Sequence, residues 1–192
     1  VALTLSIPGG QLGLAATPAK AGLAQLYAYM MNEDTQDRTA EQMQLQLQTL
    51  GSSVSVGSDF DDINFSVQTL KKNLDKTLPL LAERLLRLKF TAASFDRLKR
   101  QMLEGFKSRK AQPALVATEV FAKINHGPTS ILGVSPTGTE ETVKNLTLAD
   151  VEDYHARFIT ARGAKLVVVG DITQEEIVSR LGFLATLPVR DV

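Results

Sequence analysis

Hydrophobic residues recur along the chain with two different periods. A period of two residues appears in Val1 to Ile7, in Ser52 to Gly57 and in Ile63 to Gln68. These segments are predicted to be strands, and the last two are predicted to form an antiparallel hairpin across a turn. The run AKLVVVGD, residues 164–171, is predicted to be a buried strand because its apolar residues are continuous.

Longer segments repeat their apolar residues every three or four positions and are predicted to be helices. Capping boxes, in which a Thr is followed three residues later by a side chain that can bond back, mark the starts at Thr39, Thr147 and Thr173. The predicted helices cover residues 20–31, 39–50, 71–88, 94–110, 114–124 and 147–158, and a last one runs from Thr173 to a stop at Gly182. This order predicts an α+β fold, a two-layer α/β sandwich with a mixed, largely antiparallel sheet and helices mainly on one face.

Composition excludes several classes of function. The 21 Lys and Arg residues balance the 21 Asp and Glu residues, so no net field draws the chain to nucleic acid, and no nucleic-acid partner is expected. The absence of Cys rules out disulfides, thiolate zinc sites and Cys nucleophiles. No apolar run approaches the roughly 18 residues that a membrane-spanning helix needs, so no membrane span is predicted.

Motifs for other chemistries are incomplete. His126 and His155 lie in no nucleophile elbow and no ligand spacing, so surface or hydrogen-bonding roles are predicted, with a new active site or metal site built on them as the alternative. The acidic DFDD, residues 59–62, lacks the Gly and Glu of a calcium loop and is predicted to be a solvated turn. Gly9 and Gly10 lack the rest of a dinucleotide-binding fingerprint.

The segment GLAQLYAYMMNEDT, residues 22–35, is apolar enough for a buried helix, yet Gln25 lies within it. A buried Gln needs a hydrogen-bond partner, and this position therefore calls for an explanation.

The whole chain resembles one domain of the insulinase/pitrilysin-like zinc peptidases, the family that includes the mitochondrial processing peptidases. The segments that carry the resemblance are VALTLSIPGG, KAGLAQLYAYMMNEDTQDRT, LGSSVSV, FDRLKRQMLEGFKSRKAQP, TGTEETVKNLTLADVEDYHARF and AKLVVVGDITQEEI. The resemblance implies the fold of these metallohydrolases, with one peptidase-like domain over residues 1–186. It also implies that residues 187–192 begin a linker to a second domain that this chain lacks, as expected for a piece of a longer protein.

Active members of that family carry an inverted zinc motif, His-x-x-Glu-His, on their first helix. At the matching positions of this chain, Gln25 and Tyr29 replace the two His ligands and Ala28 replaces the Glu base. The family's third ligand, a Glu on a later helix, falls on Gly105, and a shift of one residue would bring Glu104 to that position instead. The resemblance thus implies a degenerate site, with no catalytic residue and no metal ligand in this domain. Gln25 and Tyr29 are expected to face a metal-free interior near Gly105.

Family members pair a catalytic half with a similar noncatalytic half around a chamber, and this chain resembles the first domain of a noncatalytic half. The implied partners are an active zinc-bearing half, in cis or in trans, and a peptide substrate that can add to a sheet edge in the chamber. Zinc is expected only in the partner half. The alternative is a non-proteolytic scaffold or assembly subunit of the same fold. Similar proteins are common in the bacterial envelope, which favours a periplasmic location and leaves a cytoplasmic one open.

Overall fold

Four strands and eight α-helices make up the regular structure of the computed structural model, which describes residues 1–127 and 129–191. The strands are β1 (Ala2–Pro8), β2 (Ser53–Ser58), β3 (Asp62–Gln68) and β4 (Lys165–Val169). The helices are α1 (Leu23–Met30), α2 (Ala40–Thr49), α3 (Leu74–Leu86), α4 (Ala92–Lys110), α5 (Pro113–His126), α6 (Glu140–Lys144), α7 (Leu148–Phe158) and α8 (Gln174–Val178).

The four strands form one sheet in the order β2-β3-β1-β4, and every pairing described is antiparallel. Leu5 of β1 lies opposite Phe65 of β3, which in turn lies opposite Val56 of β2. These three side chains are buried, whereas Ser55 and Ser66, which pair on the other face of the sheet, are exposed or half-buried. One face of β1, β2 and β3 therefore packs into the core. The predicted α+β fold class is confirmed, but the sheet is antiparallel throughout the described residues and not mixed as predicted.

Side chains from several helices complete the core over the apolar face of the sheet. Leu26, Tyr27 and Met30 of α1 and Leu81 and Leu85 of α3 are at most 1% exposed. Each such large apolar side chain contributes about 1.5–3 kcal/mol to stability through burial. The central position of α1 fixes the orientation of the residues at the predicted zinc-motif positions.

The three predicted capping boxes are present. The Thr39 hydroxyl accepts from the backbone N–H of Gln42 at 3.2 Å while the Gln42 side chain accepts from the backbone N–H of Thr39 at 3.0 Å. The boxes that begin at Thr147 and Thr173 have the same reciprocal bonds. The last helix differs at its other end, because α8 stops at Val178 and the predicted stop, Gly182, begins a 3-10 helix instead.

The prediction of a buried strand at residues 164–171 is wrong. β4 is an edge strand, and its Leu166, Val167 and Val169 side chains are 37%, 58% and 65% exposed. The physical reason is its place at the end of the sheet, where it pairs with β1 alone among the strands described. A continuous apolar run carries no information about whether a second neighbour covers it.

Apart from the core, α5 carries apolar side chains on the surface, since none of its described side chains is buried.

Within residues 1–127 and 129–191, no helix combines the length and apolar character needed to cross a membrane.

The first residues of the predicted linker, residues 187–192, pack against the domain. Leu187 is buried, and the carbonyl of Pro188 accepts from the Ala161 backbone N–H at 2.8 Å and from the Thr160 hydroxyl at 3.0 Å. Residue 192 lies outside the described residues, and a second domain beyond this tail stays a prediction.

Candidate functional site

A cavity of about 400 Å³ lies between α1 and α4, at the positions that the sequence matches to a zinc site. Tyr29 from α1 and Gly105 from α4 both line it. The apolar side chains of Leu98, Met102 and Phe106 form much of the remaining wall. The structure thus brings together two of the four residues that the sequence singles out, one from each helix.

Gly105 leaves open space at the cavity. A Cβ atom built at this position would meet no atom within 4 Å beyond its own helix backbone and chain neighbours, so the position can take a side chain without a clash. The neighbouring Glu104 is exposed and does not line the cavity. Gly105 is therefore the residue of this pair that α4 turns toward Tyr29. Its equivalence to a lost ligand stays a prediction.

The other two singled-out residues of α1 have different surroundings. Gln25 is half-buried, and its Oε1 accepts a long hydrogen bond of 3.4 Å from the hydroxyl of Ser58 at the end of β2. Ala28 is completely buried, with 0% of its surface exposed. A base at position 28 would therefore lie in the packed core of the domain, away from solvent.

The expectation that Gln25 and Tyr29 face an interior is wrong in part. Tyr29 is 39% exposed and Gln25 is half-buried, so both lie on the outer side of α1. Positions four residues apart share a helix face, and the core-facing side of α1 is already taken by Leu26, Tyr27 and Met30. The cavity at Tyr29 is consequently open to solvent.

Arg109 adds a positive charge to this cavity, and the sequence analysis missed it. It follows Gly105 by one helical turn and lines the same cavity. Its guanidinium donates to the hydroxyl of Thr137, and its Nη2 lies 3.1 Å from a carboxylate oxygen of Glu119 and 3.3 Å from the Ser135 hydroxyl. A guanidinium at the cavity disfavours a divalent metal ion there, although the ion pair with Glu119 offsets part of its charge. The spacing of four residues from Gly105 was the signal that could have identified it.

The residues described in the structure contain no group of three or more His, Cys, Asp or Glu side chains placed to hold a metal ion. His126 is exposed at the end of α5. His155 lies in an aromatic cluster instead, where its Nδ1 is 2.9 Å from the Tyr27 hydroxyl and its ring meets Phe90 edge-on with centroids 5.8 Å apart. The two histidines therefore lie in different surroundings. His126 is exposed, and His155 has a structural role in the aromatic cluster.

Burial keeps the Tyr27 and His155 pair uncharged. Desolvation raises the pKa of the Tyr27 phenol well above its ordinary value, and the charge of Tyr154 would raise it further. Desolvation also lowers the pKa of the His155 imidazole, with a smaller contribution from the positive charge of Arg190. A neutral phenol hydrogen-bonded to a neutral imidazole can be buried at a much lower cost in free energy than a charged group.

The acidic DFDD segment is a turn, as predicted. One carboxylate oxygen of Asp59 accepts from the backbone N–H groups of Asp61 at 2.9 Å and Asp62 at 2.8 Å. The backbone carbonyl of Asp61 accepts from the N–H groups of Gly9 and Gly10. Gly10 has no room for a side chain, because a Cβ atom there would come within 2.5 Å of the Asp59 carbonyl oxygen. These glycines thus serve close packing of the β2–β3 turn.

Known proteins with similar sequences and structures are peptidase relatives. The sequence model of the insulinase family, peptidase family M16, matches residues 1–128. The chain is similar to the non-peptidase homolog YmxG of Helicobacter pylori, with 25% identity over 165 residues that cover 83% of this chain and 37% of the relative.

Many solved structures share the fold. The peptidase M16 inactive domain from Pseudomonas fluorescens superposes with a TM-score of 0.88 and 24% identity, covering 99% of this chain and 47% of that one. The periplasmic protease PqqL from Escherichia coli superposes with a TM-score of 0.83 and 19% identity, covering 100% of this chain and 22% of PqqL. The chain therefore spans little more than a third of its curated relative and less than half of either solved chain.

Proposed function

The chain belongs to the insulinase family, peptidase family M16, and we propose that it is a catalytically inactive domain that pairs with an active, zinc-bearing half and forms part of its peptide chamber. The observation that carries this proposal is the cavity at Tyr29 and Gly105, whose residues supply neither a ligand set nor a base. Two of the similar proteins are themselves described as a non-peptidase homolog and an inactive domain.

The chemistry of the four zinc-motif positions supports a role without catalysis. Catalytic zinc sites use three protein ligands, drawn from His, Cys and carboxylates, and a neighbouring base that takes a proton from the metal-bound water. The amide of Gln25 and the phenol of Tyr29 are poor substitutes for imidazole, and Gly105 offers no ligand atom. Ala28 cannot accept a proton. Zinc is accordingly proposed only in the partner half.

Pairing is supported by an apolar surface on α5, which we call the α5 stripe. Its members are Val116, Val120, Phe121 and Ile124, which are 40%, 50%, 66% and 76% exposed. Spacings of three and four residues put them on one side of the helix. Contiguous exposed apolar residues of this kind mark protein interfaces. The proposed occupant is another domain of the same family, because the solved M16 structure with the inactive domain is about twice as long as this chain.

The peptide substrate is proposed to contact this domain as part of the chamber wall, while its bond is cleaved in the partner half. A periplasmic location is proposed with it. That location is supported by the resemblance to envelope proteins and by the periplasmic protease PqqL among the structures that share the fold.

The experiment that tests this function is copurification of the full-length protein with the product of a neighbouring gene that retains His-x-x-Glu-His. We expect a one-to-one complex that contains one zinc ion and cleaves an unfolded protein substrate. Alanine at the partner's His positions should abolish zinc binding and cleavage, whereas Gln25→Ala with Tyr29→Ala in this chain should leave the zinc content unchanged.

Two results would contradict the proposal. Stoichiometric zinc and hydrolysis by this protein alone would make it an enzyme in its own right. A stable complex without peptidase activity would instead support the non-proteolytic scaffold, the alternative that the sequence leaves open.

A further inference from the structure

The outer edge of β2 is occupied by side chains. β2 is the last strand of the described sheet on its side, so its outward N–H and C=O groups face away from β3. The side-chain amide of Asn32, just after α1, meets both outward groups of Val56. Its Oδ1 accepts from the Val56 N–H at 3.0 Å, and its Nδ2 donates to the Val56 carbonyl at 2.8 Å. These are the two bonds that a residue of a neighbouring antiparallel strand would make.

Arg84 of α3 extends this arrangement by one outward position. Its Nη1 donates to the Val54 carbonyl at 2.7 Å and to the Asn32 Oδ1 at 2.9 Å. Arg84 thus bonds the strand and also holds the Asn32 amide in the orientation that suits Val56.

The burial of Arg84 shows that this contact is not incidental. Arg84 is only 5% exposed, and within residues 1–127 and 129–191 it forms no ion pair and its Nε has no hydrogen-bond partner. Burying a guanidinium without a carboxylate is unfavourable. Desolvation accordingly lowers its pKa, while the charge of Glu33 opposes that shift. The hydrogen bonds from Arg84 to Val54 and Asn32 offset part of the free-energy cost of burying this charge.

Space beside the strand is not what limits access. A groove of about 600 Å³ runs along this edge, with Val54, Ser55, Asn32 and Arg84 on one side and α2 on the other. An extended chain can approach β2 there. What limits access is the backbone itself, because the N–H and carbonyl of Val56 and the carbonyl of Val54 are already bonded to Asn32 and Arg84.

We propose that Asn32 and Arg84 form a clasp that takes the place of a neighbouring strand and closes the outer edge of β2 to strand addition by an extended peptide. Strand addition depends on unpaired N–H and C=O groups, so a peptide must displace the clasp to bind. The peptide that passes this domain would therefore be held by other surfaces. The clasp concerns this domain alone, and it stands whether or not the domain pairs with a zinc-bearing half.

Backbone amide exchange in the wild-type protein tests the clasp without any mutation. The Val56 amide lies on an open edge, yet we expect its hydrogen exchange to be at least about 100-fold slower than in an unfolded chain, as for amides paired inside the sheet. Rapid exchange at Val56 in the wild type overturns the proposal.

Peptide binding tests its consequence. The probe is a fluorescein-labelled eight-residue peptide in which Val and Thr alternate between terminal lysines. Fluorescence anisotropy measures its binding to the protein. We expect Asn32→Ala and Arg84→Met to bind this probe at least tenfold more tightly than the wild type, with new protection of the Val56 amide on binding. The matched control is Gln36→Ala, which removes another amide bond to a backbone carbonyl, that of Leu88, away from β2.

Equal affinity of the wild type and the folded clasp variants, or tighter binding by Gln36→Ala as well, overturns the proposal. Asn32 also donates to the Ala28 carbonyl at 2.7 Å, so its replacement can destabilise the end of α1. Arg84→Met and the wild-type exchange measurement do not disturb that bond, and they decide the question if Asn32→Ala does not fold.

Discussion

Tyr29 and Gly105 line the same cavity although 76 positions separate them in the chain. Tyr29 reaches the cavity from α1, and Gly105 leaves open space on α4 where a side chain could enter. The family resemblance implies that these residues stand where active members have the second and third zinc ligands. Rebuilding a metal site at this cavity is therefore a direct test of the predicted positions.

The triple variant Gln25→His, Tyr29→His and Gly105→Glu is expected to bind Zn²⁺ at least about tenfold more tightly than the wild type, because two imidazoles one helical turn apart and a carboxylate can form a tetrahedral site. Isothermal titration calorimetry measures the difference. The variant should not hydrolyse peptides, since residue 28 supplies no base.

The control for the triple variant is the double variant that keeps Gly105. It retains the natural Glu104, so equal zinc affinity of the double and triple variants would mean that a carboxylate at position 105 is not a zinc ligand. Adding Arg109→Gln to the triple variant should tighten zinc binding further, because it removes a positive charge from the cavity.

Ala28→Glu is expected to destabilise the domain by about 3 kcal/mol or more, because it forces a carboxyl group into a fully buried position. Urea denaturation measures the free energy of unfolding. The control is Gln25→Glu on the half-buried side of α1, which should cost less than about 1 kcal/mol. Similar losses in the two variants would show that position 28 is not closed in the way its burial indicates.

Phe121→Glu or Ile124→Glu is expected to weaken the proposed complex with the zinc-bearing half by at least about tenfold, because a charge in an apolar interface must be desolvated. Analytical ultracentrifugation of the coexpressed pair measures the affinity. Leu45→Glu on α2 is a matched control, since Leu45 has the same 66% exposure as Phe121. A complex that tolerates both α5 changes would place the interface elsewhere.

Stability is expected to fall as the pH drops below about 6.5, the ordinary pKa of His. The folded domain holds the pKa of His155 below that value through desolvation, so the unfolded chain binds the proton more readily and gains in population as the pH falls. The slope can reach about 1.4 kcal/mol per pH unit until the folded pKa is passed. Above about pH 6.5 this contribution to stability is fully present.

Urea titrations between pH 5 and pH 8 measure this effect, with His155→Gln as the comparison. Gln can keep a hydrogen bond to Tyr27 but does not titrate, so its stability should be flat across the range. The carboxyl of Glu140, whose pKa its bonds to Lys110 and Lys144 lower to about 2, does not titrate in this window. A wild-type protein with the same flat profile as His155→Gln would refute the assignment.

The sequence alone predicts those elements whose structure depends only on neighbouring residues. The capping box at Thr39 needs only the three residues that follow it, and the hairpin of β2 and β3 needs only alternation across a turn. β4 was assigned correctly as a strand but not as an edge, because its exposure depends on which strand lies beyond it in the sheet. Periodicity contains no such information.

The candidate site could be predicted only in part, for a similar reason. Family resemblance pointed to Tyr29 and Gly105, which the fold brings to one cavity. Neither the family resemblance nor the pattern of apolar residues indicated the contact between Asn32 and Arg84, which are 52 positions apart in the chain. An Arg in the apolar run LLAERLL was the available signal, but only the fold brings Asn32, just after α1, next to this Arg.

The complete burial of Ala28 has an evolutionary consequence. If Ala28 stands where the family has a catalytic glutamate, as the resemblance implies, the side chains packed around Ala28 leave no room for that glutamate. A change of Ala28 to Glu alone would then produce a less stable protein, and selection for stability would act against it. On that premise, the packing around Ala28 would make the loss of the base hard to reverse, because restoring it would require changes in the surrounding core as well.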